Sequence, residues 1–375
     1  MIPRDVPDLE SFQEEYWNPA VSLSVDRRDF LKLLGGGMLI CLAHTPAHSQ
    51  ESGRAFGGHE LPKDLGAWLH IAADGQVKAF TGKVEVGQNI RTSLAQLVAE
   101  ELRVPFDSVS MVMGDTNLTP YDMGTFGSRT TPTMGPQLRT MAAAARQMLL
   151  EMAAERWQVA PDGLNAVDAK ITDPHSSRSL TYGELTRGEN LVKVVTAQET
   201  LTPAAEWKIA GTPAPKSEGR DFVTGKHAYP SDIVRPGMIY GAVLRPDGYN
   251  ATLESLDTSA AEKLPGVQVV RDGDFTGVVA PDAFTAQKAV SAILAKWNVA
   301  PAQPSNRDLF EYLKNNPESG RDNGQQQAAG LGSQAFESAD LKFEARYTIQ
   351  YIAHAPLEPR AAVAEWEVDK LTVLT

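Results

Sequence analysis

Hydrophobic and polar residues change period several times along this chain, and a glycine or proline stands near each change. Residues 66–80, GAWLHIAADGQVKAF, alternate on both sides of Asp74-Gly75, which predicts a hairpin with a two-residue turn. The alternation carries on through Lys83, Val84, Glu85 and Val86, and Gly87 ends it. From Thr92 the period becomes helical. Leu94, Leu97, Val98, Glu101 and Leu102 share a face, Ser93 and Gln96 are spaced as a capping box, and Pro105 stops the run. Residues 108–115 alternate again as a strand, and the loop DMGTFGSRTTPTMGP follows. A second helix is predicted over 137–157, with Pro136 at its first turn. Its apolar face includes Leu138, Met141, Ala145, Met148 and Met152, and the methionines read as core packing rather than ligands.

The cluster GTPAPKSEG at 211–219 reads as a boundary. Beyond it, 238–244 and 267–270 read as strands and 283–297 as a helix. A polar linker spans 301–338, and strand-like sequence resumes over 342–351. The chain closes on LTVLT, which reads as the middle of a strand, and this favours an incomplete polypeptide.

Composition narrows the classes. With 375 residues, 42% of them hydrophobic, the chain can bury a core of more than one domain. Its net charge of −12 is dispersed, and no Lys/Arg run is long enough to neutralise a row of phosphates, which argues against a nucleic-acid partner. A lone cysteine, Cys41, excludes an internal disulfide framework and an iron–sulfur cluster held by this chain alone. Residues 26–50, DRRDFLKLLGGGMLICLAHTPAHSQ, set Arg27-Arg28 before an 11-residue apolar run, 33–43, and a small-residue exit near Ala47-His48-Ser49. That order resembles a twin-arginine export signal. The run falls short of the ~20 residues that span a bilayer. A buried amphipathic helix is the alternative, yet Gly35, Gly36 and Gly37 would each cost it about 1 kcal/mol. A lipid anchor on Cys41 is disfavoured by Ile40, where a small residue would be expected. The pattern predicts a periplasmic protein exported folded, as cargo carrying a complex cofactor is.

Two loops carry candidate chemistry. Val86-Gly87-Gln88-Asn89-Ile90 gathers backbone N–H groups, amide side chains and a helix N-terminus, a combination suited to an anion or an acceptor-rich heterocycle. Gly124 to Thr131, GTFGSRTT, has the same character about 40 residues on. The alternative is that both are tight turns.

These segments, TGKVEVGQNIRTSLAQLVAEEL, VPFDSVSMVMGDTNLTP and GTFGSRTT, resemble the molybdopterin-binding subunit of the xanthine dehydrogenase family, nearest the isoquinoline 1-oxidoreductase beta-subunit type. DFVTGKHAYPSDIVRPGMIYGAVLRP, LPGVQVV, VVAPDAFTAQKA and KWN resemble that family's hammerhead domain, and HAPLEPRAAVAEW the start of its main cofactor domain. The resemblance implies an α+β chain: an export signal with its extension at 1–50, a molybdopterin-binding α/β portion at 65–205, a hammerhead α/β domain at 211–300, the linker 301–338, and an incomplete main domain at 339–375. It implies molybdopterin cytosine dinucleotide with molybdenum as cofactor, shared with a missing half and touched by Gly87, Gln88 and Asn89, the last standing where glycine is more usual. It implies contacts from Gly127, Ser128 and Arg129, with Arg129 either a phosphate partner or a surface ion pair. Glu358 takes a position that faces the substrate pocket in some relatives. His354, four residues before it, reads as a packed histidine because Pro356 and Pro359 oppose a helical metal site. The implied reaction oxidises an N-heteroaromatic ring or an aldehyde with water as oxygen source, and the implied glutamate base lies beyond Thr375. Implied partners are a [2Fe-2S] small subunit, a c-type cytochrome, a second chain carrying the C-terminal half, and a small-molecule substrate. A truncated, non-catalytic remnant or interaction module is the alternative.

Overall fold

The computed structural model describes residues 37–42, 68–195, 199–300, 304–316, 332–353, 355–357 and 360–375. Arg27, Arg28, His354 and Glu358 lie outside the described residues. The chain forms two compact units, with the change from one to the other at Tyr229 and Pro230. The expected boundary at 211–219 belongs instead to the first unit. Gln96 Nε2 donates to the carbonyls of Ile209 (2.8 Å) and Thr212 (2.9 Å), and Thr92 Oγ1 accepts from Ser217 N (2.9 Å). Proline and glycine punctuate the segment, but side chains of the first helix tie it down.

The first unit contains β1 (Gly37–Leu42), β2 (Trp68–Ile71), β3 (Val77–Thr81), α1 (Ile90–Leu102), β4 (Val109–Met113) and α2 (Thr130–Trp157). It continues with β5 (Asn165–Val167), β6 (Lys170–Thr172), β7 (Ser179–Thr181), α3 (Tyr182–Thr186) and β8 (Asn190–Val195). Five strands make a mixed sheet in the order β4-β3-β2-β1-β8, and β5-β6-β7 make a small antiparallel sheet. Strand alternation sorts the side chains. Met38, Ile40, Leu69, Ile71, Val77 and Ala79 join the cluster formed with α1 and α2, while Leu39, Trp68 and Phe80 form a second cluster with Val112 and Leu118. On α2, Leu138, Met141 and Leu149 are fully buried, each stabilising the fold by roughly 2 kcal/mol, and the run Ala142 to Ala145 is buried too. Met148 and Met152 pack against the same core, as their spacing predicted.

Several local expectations change. The hairpin loop has three residues rather than two: Ala72 N donates to Gln76 O, Gly75 N donates to Ala72 O, and Gly75 adopts a φ of 87°. β3 ends at Thr81, because Gly82 leaves the sheet against Asp122 and Pro120, where a Cβ would stand 2.5 Å from the Asp122 side chain. α1 starts at Ile90, so Ser93 and Gln96 form no capping box. Ser93 Oγ donates back to Ile90 O (3.1 Å), and Gln96 serves the 209–212 segment. α2 starts at Thr130, seven residues ahead of the expected position, with Pro136 inside it.

The second unit holds β9 (Tyr240–Val243), β10 (Thr252–Asp257), α4 (Ser259–Glu262), β11 (Gln268–Asp272), β12 (Phe275–Ala280), α5 (Ala283–Ala292) and β13 (Leu294–Asn298). β12 lies between β11 and β9, and β10 pairs with β13. α5 is capped by Asp282, whose side chain accepts from Thr285 N (2.8 Å), and it packs Ala286, Ala289 and Val290 on Val278 and Ala280. The helix expected to reach residue 297 stops at Ala292, and LAKWN becomes β13 because β10 offers it a ladder. A hairpin, β14 (Val363–Glu367) with β15 (Lys370–Leu374), follows. The strand expected over 342–351 is not formed. Phe343, Tyr347, Ile349 and Tyr351 alternate, yet they are exposed and no described strand pairs with them. Periodicity makes a strand possible, but a ladder partner makes it one.

Candidate functional site

β3 and β4 are adjacent and parallel, from Val77↔Val109 to Thr81↔Met113, and α1 crosses between them. Their carboxyl ends therefore open on the same sheet edge, where the loops 82–89 and 114–129 emerge, the position at which open α/β sheets hold ligands. Both Gly loops singled out from sequence lie on this edge.

The loops interlock through groups that periodicity does not mark. Lys83 is buried, and its Nζ donates to Asp122 Oδ1 (2.7 Å) and Gly124 O (2.6 Å). Asp122 Oδ1 also accepts from Gly124 N (2.9 Å), and Val84 N donates to Thr125 Oγ1 (2.9 Å). Gly114, at a φ of 67°, would bring a Cβ to 2.7 Å from Val84 Cγ1. Close approach at Gly82 and Gly114 thus lets one loop lie on the other.

Within the first loop, the Glu85 carboxylate occupies the turn. Its Oε1 accepts from Gly87 N (3.0 Å) and Asn89 N (2.8 Å), and its Oε2 accepts from Arg91 N (2.9 Å). Gln88 folds back as well: Oε1 accepts from Val86 N (2.6 Å), and Nε2 donates to Val84 O (3.0 Å). The amides expected to face an external anion are thus satisfied by the chain's own carboxylate. A glutamate two residues before the glycine of a helix-entry turn is the signal that could have revealed this. Asn89, where glycine was expected, keeps the left-handed conformation (φ 67°) that asparagine tolerates, and its Oδ1 accepts from Thr92 Oγ1 (2.7 Å).

In the second loop, Gly127 (φ 66°) and Ser128 (φ 55°) are exposed and left-handed in succession. Arg129 is the N-cap of α2, with no side-chain cap bond, and its carbonyl accepts from Thr133 N and Oγ1. A helix of 28 residues therefore presents its N-terminal end beside Ser128. The donor chemistry for a phosphate-bearing cofactor fits this second loop, while in the first the Gly87 and Asn89 amides and both ends of the Gln88 carboxamide are engaged within the loop itself.

A carboxylate pair, Glu100 and Glu101, lies at the other end of α1. Glu101 is fully buried. It accepts from Arg139 Nε (2.9 Å), Thr202 Oγ1 (2.8 Å) and Thr202 N (3.2 Å), and Arg146 Nη1 stands 3.4 Å from its Oε2. Glu100 Oε2 accepts from the amides of Lys208, Ile209 and Ala210 (2.9, 2.6 and 3.0 Å). Burial alone would raise the Glu100 pKa, but these three amides and the Arg103 guanidinium bring it below the usual value. Tyr182 OH donates to Leu102 O (2.6 Å), and burial holds that phenol well above its ordinary pKa. The two carboxylates fasten the 200–212 segment to α1, Tyr182 fastens α3 to the end of α1, and all three side chains are buried.

A family model described as molybdopterin cofactor-binding domain matches residues 27–230. The chain is 31% identical over 362 residues to a nicotinate dehydrogenase subunit of Pseudomonas putida, covering 94% of this chain and 30% of that protein. It is 26% identical over 350 residues to the beta subunit of isoquinoline 1-oxidoreductase of Brevundimonas diminuta, covering 80% and 45% respectively. With a membrane-bound aldehyde dehydrogenase of Gluconacetobacter polyoxogenes the identity is 27% over 371 residues, covering 91% and 46%. The chain thus spans less than half the length of each of these relatives.

Proposed function

This chain belongs to the molybdopterin cofactor-binding domain family, and from that premise we propose that it is the N-terminal part of a molybdenum hydroxylase large subunit oxidising an N-heteroaromatic compound or an aldehyde. The observation that carries the reading is the interlocked pair of Gly loops at the carboxyl ends of β3 and β4. The relatives' names, with nicotinate, isoquinoline and aldehyde in them, supply the substrate classes. Gly127, Ser128, Arg129 and the α2 N-terminus would hold the phosphates of molybdopterin cytosine dinucleotide, and the Gln88 carboxamide would reach it by exchanging its bonds to Val84 and Val86. When bound, the cofactor supplies the two-electron oxidation. Lys83 and Asp122 keep the loops in register, and Glu85 fixes the path of the turn that carries Gln88. The proton-abstracting glutamate and the rest of the pocket would come from the portion of a relative-length subunit absent from this sequence. Electrons would leave through a [2Fe-2S] subunit, and the 26–50 pattern supports export to the periplasm.

On this reading the isolated 375-residue chain is inactive and poor in molybdenum. Metal analysis of the purified chain tests that, and a stoichiometric molybdenum content would refute it. Co-expression with a candidate C-terminal half and iron–sulfur subunit should yield a complex that oxidises nicotinate, isoquinoline or an aldehyde with an artificial electron acceptor. The self-satisfied turn around Glu85 favours a second reading, a non-catalytic module of the same family. Failure of any such half to co-purify would support it.

A further inference from the structure

The apolar run at 33–43 has two competing uses. Sequence order makes it the middle of an export leader, whereas in the fold Gly37–Leu42 is β1, an inner strand of the five-stranded sheet. It pairs antiparallel with β2, from Met38↔Ile71 to Cys41↔Trp68, and parallel with β8, from Gly37↔Asn190 to Leu42↔Val195. Met38, Leu39 and Ile40 are 0%, 2% and 0% exposed, and their alternation serves both faces of the sheet. Gly37 fits its place only as glycine. Its φ is +115°, and a Cβ there would stand 2.3 Å from Ile71 O.

β1 also holds the sheet together. Among the described residues β8 is bonded in that sheet to β1 alone, so loss of β1 would strip β8 of its ladder and leave the inner edge of β2 unpaired. The family match begins at residue 27 and therefore takes in this segment. A cut after Ser49, the exit suggested by sequence, would remove an inner strand and three buried apolar side chains.

We propose that residues 37–42 are a retained strand of the working protein and not part of a discarded leader. A segment bonded on both sides in the sheet cannot also be cut away from the folded chain without breaking two ladders, so a chain that keeps this sheet keeps residues 37–42. Any processing of the exported chain stops short of Gly37. This inference does not depend on the cofactor reading.

The full chain, purified from periplasmic and cytoplasmic fractions, provides the test through its intact mass and the amide exchange of peptides spanning 37–42. Every folded population should retain those residues, with amides exchanging as slowly as those of β2. A folded population whose first residue lies beyond 42, or exchange at 37–42 as fast as in an unfolded peptide, would overturn the proposal. A second comparison is independent of processing: chains starting at residues 36 and 50. The longer should keep the thermal transition of the full chain, and the shorter should lose it or melt about 10 °C lower. Equal transitions would count against a retained strand. Ile40→Asp in the full chain should likewise lower the transition, and an unchanged one would count against it too.

Discussion

Helix α1 carries a carboxylate cage at each end, built from the same chemistry and serving different ends. At its N-terminus, Glu85 collects three amides in a partly exposed turn beside the candidate site. At its C-terminus, Glu100 also collects three amides, but it is buried next to Glu101 and the guanidinium groups of Arg103, Arg139 and Arg146. What separates them is solvent. Water can replace the donors and acceptors of the exposed cage at little cost, so that cage can open to a ligand. In the buried cage the two carboxylates lose their hydration on folding and depend on their partners, so the cage is a fastening.

The largest test of this contrast is Glu101→Ala, which leaves Arg139 and Arg146 facing a buried gap. It should destabilise the chain by about 3–5 kcal/mol in urea unfolding. A loss below about 1 kcal/mol would put the buried cage on a par with the surface. Glu100→Gln keeps the shape but weakens the acceptor, and about 1–3 kcal/mol should go. Since the folded pKa of Glu100 lies below 4.5, its contribution should be present above that pH and fade as pH falls through the lower folded value, a dependence that the Gln variant should lack.

Glu85→Ala should cost about 1 kcal/mol or less, because water reaches the freed amides. Its signature is local: Gly87, Asn89 and Arg91 amides should exchange several-fold faster while those of α1 beyond its first turn do not change. Global destabilisation comparable with that of Glu101→Ala would erase the distinction between the two ends. The smallest effect belongs to the β6–β7 hairpin. The Arg178 guanidinium, the His175 amide and the Ser176 hydroxyl hold the Asp173 carboxyl down at about 2. Its contribution is complete above the ordinary value of 3.8 and should disappear as pH falls from there to about 2. Acid titration of Asp173→Asn should show no such local step.

The strength of each local signal governs how much of this is legible in the sequence. The β2–β3 hairpin, α1, β4 and α2 all form where period changes announce them, since each hides an apolar face whose spacing is written in order along the chain, but their bounds do not follow: β3 ends at Thr81 rather than Val86 and α2 begins seven residues early. The two Gly loops are legible because glycine at a strand-to-helix passage marks a turn that few other residues can make. Lys83, Asp122, Glu100 and Glu101 are not legible as partners. Buried charges look like surface charges in a sequence, and Glu101 stands out only as an odd member of an apolar face. The site's donor set departs from expectation for a related reason: alternation makes Glu85 a strand residue, although its side chain turns back to fill the cage.

By itself, the sequence determined the succession β2, β3, α1, β4 and α2, the glycines at the turns and the resemblance to one family, because these depend on neighbours along the chain. Tertiary structure decided that β1 is an inner strand, that 342–351 is not a strand, and that the first loop encloses its own anion. Each of these outcomes depends on whether a partner distant in sequence is there to complete a hydrogen-bond ladder or satisfy a charge, and local pattern does not encode that.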